Sequence, residues 1–101
     1  MAKNYEIAIL IDFYGEMLTA KQRDFLEYYY NDDLSLSEIA ENEGITRQGV
    51  NDLIKRAEAQ LLSFEEKCRY CENFRKLKDL SADFRKGNGD IKEILDIIDN
   101  L

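Results

Sequence analysis

Residues 34 to 61 read LSLSEIAENEGITRQGVNDLIKRAEAQL, and they are the most informative part of the chain about its fold. It predicts two helices joined by a tight turn, because Ser35 and Thr46 are good helix caps and Gly44 suits a left-handed helix exit. This pattern is typical of a helix-turn-helix, whose second helix offers its first residues to a partner, most often the major groove of DNA. We therefore expect the recognition surface to lie within residues 46 to 56.

Apolar residues recur at helical spacing on both sides of the turn. Ala40 is small where the two helices must approach closely, and Ile45 is expected to fill the turn. The inward-facing side chains predicted for the two helices are Leu36, Ile39, Ala40, Val50 and Ile54. This spacing favours a buried face on each helix and a solvent-exposed face opposite it.

The whole chain of 101 residues has no proline, five glycines and no alternating strand pattern. These features predict an all-α protein. No linker or repeat divides the chain, so we expect one helical domain over residues 1–101. Within it, residues 18–61 form the helix-turn-helix core, and residues 62–101 form a helical extension that serves as a dimer or packing element.

Further helices are predicted on both sides of the core. One runs from about Tyr5 to Met17, and a capping box at residues 19–22 begins the next, which passes through Tyr30. After the turn, a seam with spacings of four and three predicts one long helix from Arg47 through Cys71. The apolar register then shifts, which predicts a bend or break near residues 72–80, and Asp90 is expected to cap a last helix.

The C-terminal part of this seam is our candidate for a dimer or packing surface, and it favours a homodimer. Its residues are Leu61, Phe64, Cys68 and Cys71. The two cysteines form a single CxxC in a chain without histidine, whereas structural zinc needs four ligands. We therefore interpret them as packing residues and predict no metal site and no cofactor.

Charge opposes simple DNA binding. The chain has a formal net charge of −7. Residues 1–45 hold three basic and ten acidic side chains, whereas residues 46–101 hold eleven of each. Nucleic-acid affinity comes largely from neutralising phosphates, so the N-terminal half should repel a nucleic acid.

The carboxylates do not predict catalysis. They are scattered on outward faces, without a glycine-rich phosphate loop or a nucleophile paired with a base. The chain is therefore predicted not to be an enzyme. Its longest early apolar run, residues 7–11, is too short for a membrane span, which predicts a cytoplasmic protein with free thiols.

The stretch LTAKQRDFLEYYYNDDLSLSEIAENEGITRQGVNDLIKRAEAQL, residues 18–61, resembles region 4 of bacterial sigma factors and, more closely, the YlxM-type proteins. The likeness also takes in the DFY at residues 12–14. It implies a bacterial cytosolic protein with a regulatory or accessory role in the signal recognition particle pathway. The chain departs from the pattern at Glu43 and at Gly49, where a glycine in an exposed helix interior costs about 1 kcal/mol relative to alanine.

The predicted nucleic-acid-binding residues are Thr46, Arg47, Gln48, Asn51, Lys55 and Arg56. Most of these side-chain types can bind base edges or phosphates in DNA or RNA. The alternative interpretation is that these six residues form a solvent-exposed helix face that binds no nucleic acid. In that case the protein is an interaction module that binds a basic targeting component or GTPase and uses the helix-turn-helix as scaffold.

Overall fold

The computed structural model describes residues 3–101, which form six α-helices, one short 3-10 helix and no strand. The all-α prediction is confirmed. The helices are α1 Tyr5–Tyr14, α2 Ala20–Tyr30, α3 Leu36–Glu43, α4 Arg47–Cys68, α5 Tyr70–Arg85 and α6 Ile91–Asp99, and the 3-10 helix is Gly15–Met17. None of these helices is both long enough and apolar enough to cross a bilayer.

The chain divides into two compact units. The first, described from residue 3 onward, ends at Lys67 and contains α1 to α3 and nearly all of α4. The second is Cys68–Leu101 and contains the helical pair α5 and α6.

Helix starts follow the capping residues predicted from the sequence. Thr19 begins α2 and Ser35 begins α3, each through a complete capping box. In the second box, the Ser35 hydroxyl accepts from the Glu38 N–H at 3.1 Å, and the Glu38 carboxylate accepts from the Ser35 N–H at 3.1 Å. These bonds satisfy donors that a helix start otherwise leaves open.

The first unit has a continuous apolar core to which all four of its α-helices contribute. The aromatic rings of Phe25 and Tyr29 on α2 are buried there, and Leu26 has no exposed area. The other buried side chains are Ile7, Leu10, Ile11, Tyr14, Leu18, Leu36, Ile39, Ala40, Val50, Ile54, Ala57 and Leu61. The five predicted inward-facing residues of the helix-turn-helix are among them, so the helical spacing identified the core face correctly.

Two predictions about local structure were wrong. The chain breaks at Arg69, not within residues 72–80, because Arg69 adopts a left-handed backbone with φ of 55°. That conformation ends α4, and α5 then continues without interruption to Arg85. Ile45 does not fill the turn but is 39% exposed.

The second unit is a helical hairpin. Gly87 and Gly89, with φ of 85° and 83°, turn the chain between α5 and α6, and the Asn88 N–H donates to the Asp83 carbonyl. The two helices pack on each other through half-buried side chains, whereas α6 has no fully buried residue. The hairpin therefore leaves much of its apolar surface uncovered.

Candidate nucleic-acid interface

The turn between α3 and α4 is fixed by backbone bonds and one side-chain cap. Gly44 has a left-handed φ of 69°, and the N–H groups of Gly44 and Ile45 both donate to the Ala40 carbonyl. The Thr46 hydroxyl then accepts from the Gly49 N–H at 3.0 Å. This cap sets the position at which α4 begins.

Gly49 leaves room for this cap. A β-carbon at residue 49 would lie 3.2 Å from the Thr46 Oγ1 and 3.8 Å from the Ile45 Cδ1. The first distance is tighter than ordinary contact, so any larger residue would press on the capping hydroxyl. The departure from the sigma-like pattern at this position thus has a local packing reason.

One face of α4 anchors it in the core of the first unit. Val50, Ile54, Ala57 and Leu61 have no exposed area and recur at spacings of four, three and four. Because these four residues face the core, the opposite face of α4 is held toward solvent.

Two tyrosine–carboxylate bonds tie α4 to the helices before the turn. The hydroxyl of Tyr30 on α2 donates to Glu58 at 2.6 Å, and the hydroxyl of Tyr14 on α1 donates to Glu65 at 2.6 Å. Burial raises the pKa of the Tyr30 phenol, and the bond to Glu58 raises it further. The protonated phenol is the form that holds α4 in place, so α4 is fixed by polar bonds as well as by its apolar face.

Five of the six predicted binding residues are exposed, and Asn51 is half-buried. Gln48, Asn51 and Lys55 fall on one side of α4 by the helical period. Arg47 and Arg56 are nine residues apart, which places them on opposite flanks of the same helix. The fold therefore gathers three polar side chains between two flanking arginines.

Sequence reasoning missed Asp52, which lies on this face. The Gln48 side-chain amide donates to the Asp52 carboxylate at 2.8 Å. This carboxylate puts a negative charge between the cations and occupies one donor of Gln48, which lowers the attraction of the face for phosphate. The i, i+4 spacing of Gln48 and Asp52 is the sequence pattern from which this hydrogen bond could have been predicted.

Each flanking arginine shares a pocket with a lysine from a distant part of the chain. Arg47 lines a pocket of about 340 Å³ with Lys3, and Arg56 lines one of about 400 Å³ with Lys21. The Lys3 ammonium donates to the Asp33 carboxylate and to the Tyr29 carbonyl, both at 2.6 Å. That contact holds the pKa of the Asp33 carboxyl below its usual value. Sequence spacing could not assign Lys3 or Lys21 to the candidate nucleic-acid interface, because each lies beside its arginine only in the folded chain.

The four residues of the predicted seam differ in burial. Leu61 is fully buried in the first unit, and Phe64 is half-buried with its ring 6.0 Å from that of Tyr14. In the second unit Cys68 is half-buried and Cys71 is buried. Within residues 3–101, no group of three or more His, Cys, Asp or Glu side chains is disposed to hold a metal ion.

Comparison with known proteins assigns the chain to a family. Residues 1–101 match the UPF0122 family, which is described as "Putative helix-turn-helix protein, YlxM / p13 like". The chain belongs to the UPF0122 family. The YlxM-type resemblance of residues 18–61 is thereby confirmed and extends over the full chain.

Relatives in three genera align with most of this chain and with most of their own length. It is 46% identical to a UPF0122 protein of Shouchella clausii over 83% of this chain and 77% of that protein. It is 42% identical to one of Clostridium perfringens, over 95% and 92% respectively. A Bacillus cereus UPF0122 protein is 40% identical over 100% of this chain and 98% of its own length. The family description supports a helix-turn-helix in this chain.

Proposed function

We propose that this UPF0122 protein is a noncatalytic regulator that binds nucleic acid, with DNA as the main target, through the N-terminal half of α4. One observation supports this most: α4 is anchored by fully buried side chains, while the side chains of Arg47, Lys55 and Arg56 are exposed to solvent. Among the described residues, none of these three cations is held in an ion pair. They remain available to phosphates.

The binding should be modest in strength and strongly dependent on salt. Asp52 and the acidic N-terminal half oppose the approach of phosphate, so contacts must come from the few cations around α4. If about four cations meet phosphates, the log–log slope of affinity against salt is about −3.6 per bound subunit.

A double substitution, Arg47→Ala/Lys55→Ala, tests this proposal. Fluorescence anisotropy of labelled duplexes over a salt series should show weaker binding and a slope about 2 units shallower. The control variant Lys67→Ala/Lys86→Ala removes the same charge from two exposed residues outside the predicted binding set, and it should leave the slope nearly unchanged. Equal effects of the two double variants, or a wild-type slope near zero, would refute DNA binding by α4.

Asp52 offers a complementary test with the opposite sign. Asp52→Asn removes the negative charge but keeps an oxygen that can accept from Gln48. Affinity for DNA should rise severalfold, because one repulsive charge leaves the face. Glu66→Gln, an exposed site in the last turns of α4, removes the same charge as a control and should change affinity less.

The proposed biological setting is the signal recognition particle pathway, and it rests on the YlxM-type relationship. The experiment is affinity capture from bacterial cytosol with and without nuclease treatment. Recovery of targeting components that depends on intact nucleic acid supports a nucleic-acid-linked role. Absence of such components from both samples would argue against this setting.

The alternative function, docking of a basic protein, is favoured by one acidic depression formed by α1, the 3-10 helix and α2. It has a volume of about 370 Å³ and includes the carboxylates of Asp12, Glu16, Asp24 and Glu27 with the single cation Arg23. Asp12→Lys/Glu16→Lys should abolish capture of a basic protein while leaving DNA affinity equal or higher. The Arg47→Ala/Lys55→Ala variant should behave in the opposite way.

We also propose that two copies act together, because helix-turn-helix proteins commonly place two recognition helices on a two-fold site. Of the four residues of the predicted seam, Phe64 and Cys68 are partly exposed, whereas Leu61 is fully buried within its own chain. Sedimentation velocity across a concentration series is the test, and a monomer at every concentration would refute it.

A further inference from the structure

Two pockets flank the exposed face of α4, and the one beside Arg47 has no net charge. Lys3 and Arg47 line it together with the carboxylates of Asp33 and Glu38. The Lys3 ammonium is already paired with the Asp33 carboxylate at 2.6 Å. Because two positive and two negative charges cancel, this pocket offers little net attraction to a phosphate.

The pocket beside Arg56 carries a net positive charge. Lys21 of α2 and Arg56 of α4 line it with a single carboxylate, that of Asp52. Two cations against one anion favour the approach of a phosphate on this side of α4. The remaining lining residues are neutral: Thr19, Gln22 and Leu53.

Both cations of the second pocket are available to an anion. Lys21 and Arg56 are exposed, and within residues 3–101 neither is held in an ion pair. The Lys21 ammonium lies 5.9 Å from the centre of the Phe25 ring, which is at the outer limit of a cation–π contact. That contact leaves the charge of Lys21 uncompensated.

The acidic groups of α1 and α2 do not line this pocket. Asp24, one turn after Lys21, lines the separate acidic depression with Asp12, Glu16 and Glu27. The first turn of α2 contains no acidic residue. The partial positive charge of the helix start is therefore not offset there, and it adds to the attraction that the two cations exert.

The helices that carry the two cations are fixed to each other. Leu26 of α2 and Ile54 of α4 have no exposed area in the core of the first unit. The Gln22 side-chain amide donates to Gln60 at 3.4 Å, one turn after Arg56. Because α2 and α4 are already packed together, the protein loses little freedom when both cations meet one ligand.

The position of Arg56 along α4 suits the DNA backbone better than the bases. Arg56 follows Arg47 by nine residues, which is about 14 Å along the helix axis. The major groove is about 8.5 Å deep. With the start of α4 in the groove, Arg56 and Lys21 beside it lie at the level of the rim, where the phosphates run.

We propose that Lys21 is a further DNA-contacting residue, and that Lys21 and Arg56 bind neighbouring phosphates of one strand at the rim of the groove that α4 enters. This inference rests on the proposed function and adds α2 to its interface. Lys21 supplies the fourth cation, beside Arg47, Lys55 and Arg56. The α2 side is then the stronger backbone anchor, since the pocket beside Arg47 has no net charge.

Lys21→Gln tests this contact, because glutamine keeps most of the stem and removes the charge. In fluorescence anisotropy of labelled duplex DNA over a salt series, the log–log slope should become about 0.9 shallower than in the wild type. This corresponds to about eightfold weaker binding at about 0.1 M salt and to equal binding near about 1 M. Lys21→Arg should keep the wild-type slope. Lys21→Gln/Arg56→Gln should lose about 1.8, because each cation meets its own phosphate.

Lys78→Gln is the matched control. Lys78 is also an exposed lysine with its ammonium near an aromatic ring, 5.5 Å from the centre of Phe74. Its removal makes the same charge change outside the proposed interface and should leave the slope at the wild-type value. Both variants should unfold at the wild-type urea midpoint, because both lysines are exposed.

The outcomes separate this contact from the proposed function. A wild-type slope in Lys21→Gln, together with the expected loss in Arg47→Ala/Lys55→Ala, would refute the Lys21 contact and leave DNA binding by α4 standing. A loss of affinity in Lys21→Gln that persists at about 1 M salt would also refute it, because a phosphate contact acts through counterion release. A wild-type slope near zero would refute both proposals.

Discussion

Substitutions at the adjacent residues Ile54 and Lys55 of α4 should have different effects, one on stability and the other on binding. Ile54 has no exposed area, whereas Lys55 is exposed on the face proposed to meet nucleic acid. Ile54→Ala should therefore destabilise the protein, and Lys55→Ala should weaken binding while leaving stability within about 0.5 kcal/mol. Ile54→Val provides an intermediate step, because it removes a single methylene.

The expected magnitude follows from burial. Each buried methylene contributes about 0.8 kcal/mol, so truncation of Ile54 to its β-carbon loses about 2.4 kcal/mol of transfer free energy. The cavity left behind brings the total to about 3–4 kcal/mol, and Ile54→Val should cost about 1 kcal/mol. For a chain of this size the larger loss lowers the melting temperature by about 12–32 °C.

Urea denaturation followed by far-ultraviolet circular dichroism measures these costs, and anisotropy with labelled DNA measures binding at a temperature where each variant is folded. Two results would refute the reasoning. One is a cost below about 1 kcal/mol for Ile54→Ala, which would mean that α4 is not packed at this position. The other is full DNA affinity in Lys55→Ala, which would remove Lys55 from the proposed interface.

Three further predictions concern the contacts that fix α3, the turn after it and α4. Tyr30→Phe should cost about 1.5 kcal/mol at neutral pH by removing the bond to Glu58. The pKa of Tyr30 is raised above its ordinary value of 10.0 in the folded state, so the wild-type protein should lose stability as the pH rises above about 10. This loss should be steeper than in Tyr30→Phe. Parallel pH profiles of the two proteins would contradict the prediction. Gly44→Ala should lower the free energy of unfolding by about 1 kcal/mol in urea denaturation, because alanine is strained at a φ of 69°. No atom lies within 4 Å of the new β-carbon, so the cost comes from backbone conformation alone. An unchanged unfolding midpoint would contradict this prediction. Ser35→Ala should cost about 1 kcal/mol by the same assay, whereas Ser37→Ala, an exposed site on the same helix, should cost less.

Helix starts and buried faces were predictable because they depend on residues close together in the sequence. The hydroxyls of Thr19, Ser35 and Thr46 each satisfy an N–H three residues later. The apolar period of 3.6 residues identified the core face of α4 for the same reason. The six candidate binding residues followed from this assignment, and five of them are exposed.

The break at Arg69 could not be predicted in this way. No glycine, asparagine or proline marks the position, and a non-glycine residue in the left-handed region is uncommon. The exposure of Ile45 could not be predicted from the sequence either, because an apolar residue next to a turn is usually assigned to the core. Such positions are decided by what surrounds them in the fold and not by their neighbours in the chain.

Sequence patterns were enough to identify an all-α member of a helix-turn-helix family, with caps and apolar faces at defined residues, because those features act over one or two helical turns. Which charged residues come together at the candidate site depends on how the helices pack. Lys3 comes beside Arg47, Lys21 comes beside Arg56, and Glu58 binds Tyr30 from another helix. The partners in these three pairs are 28 to 44 residues apart along the chain, so they come together only when burial of the apolar faces brings their helices into contact.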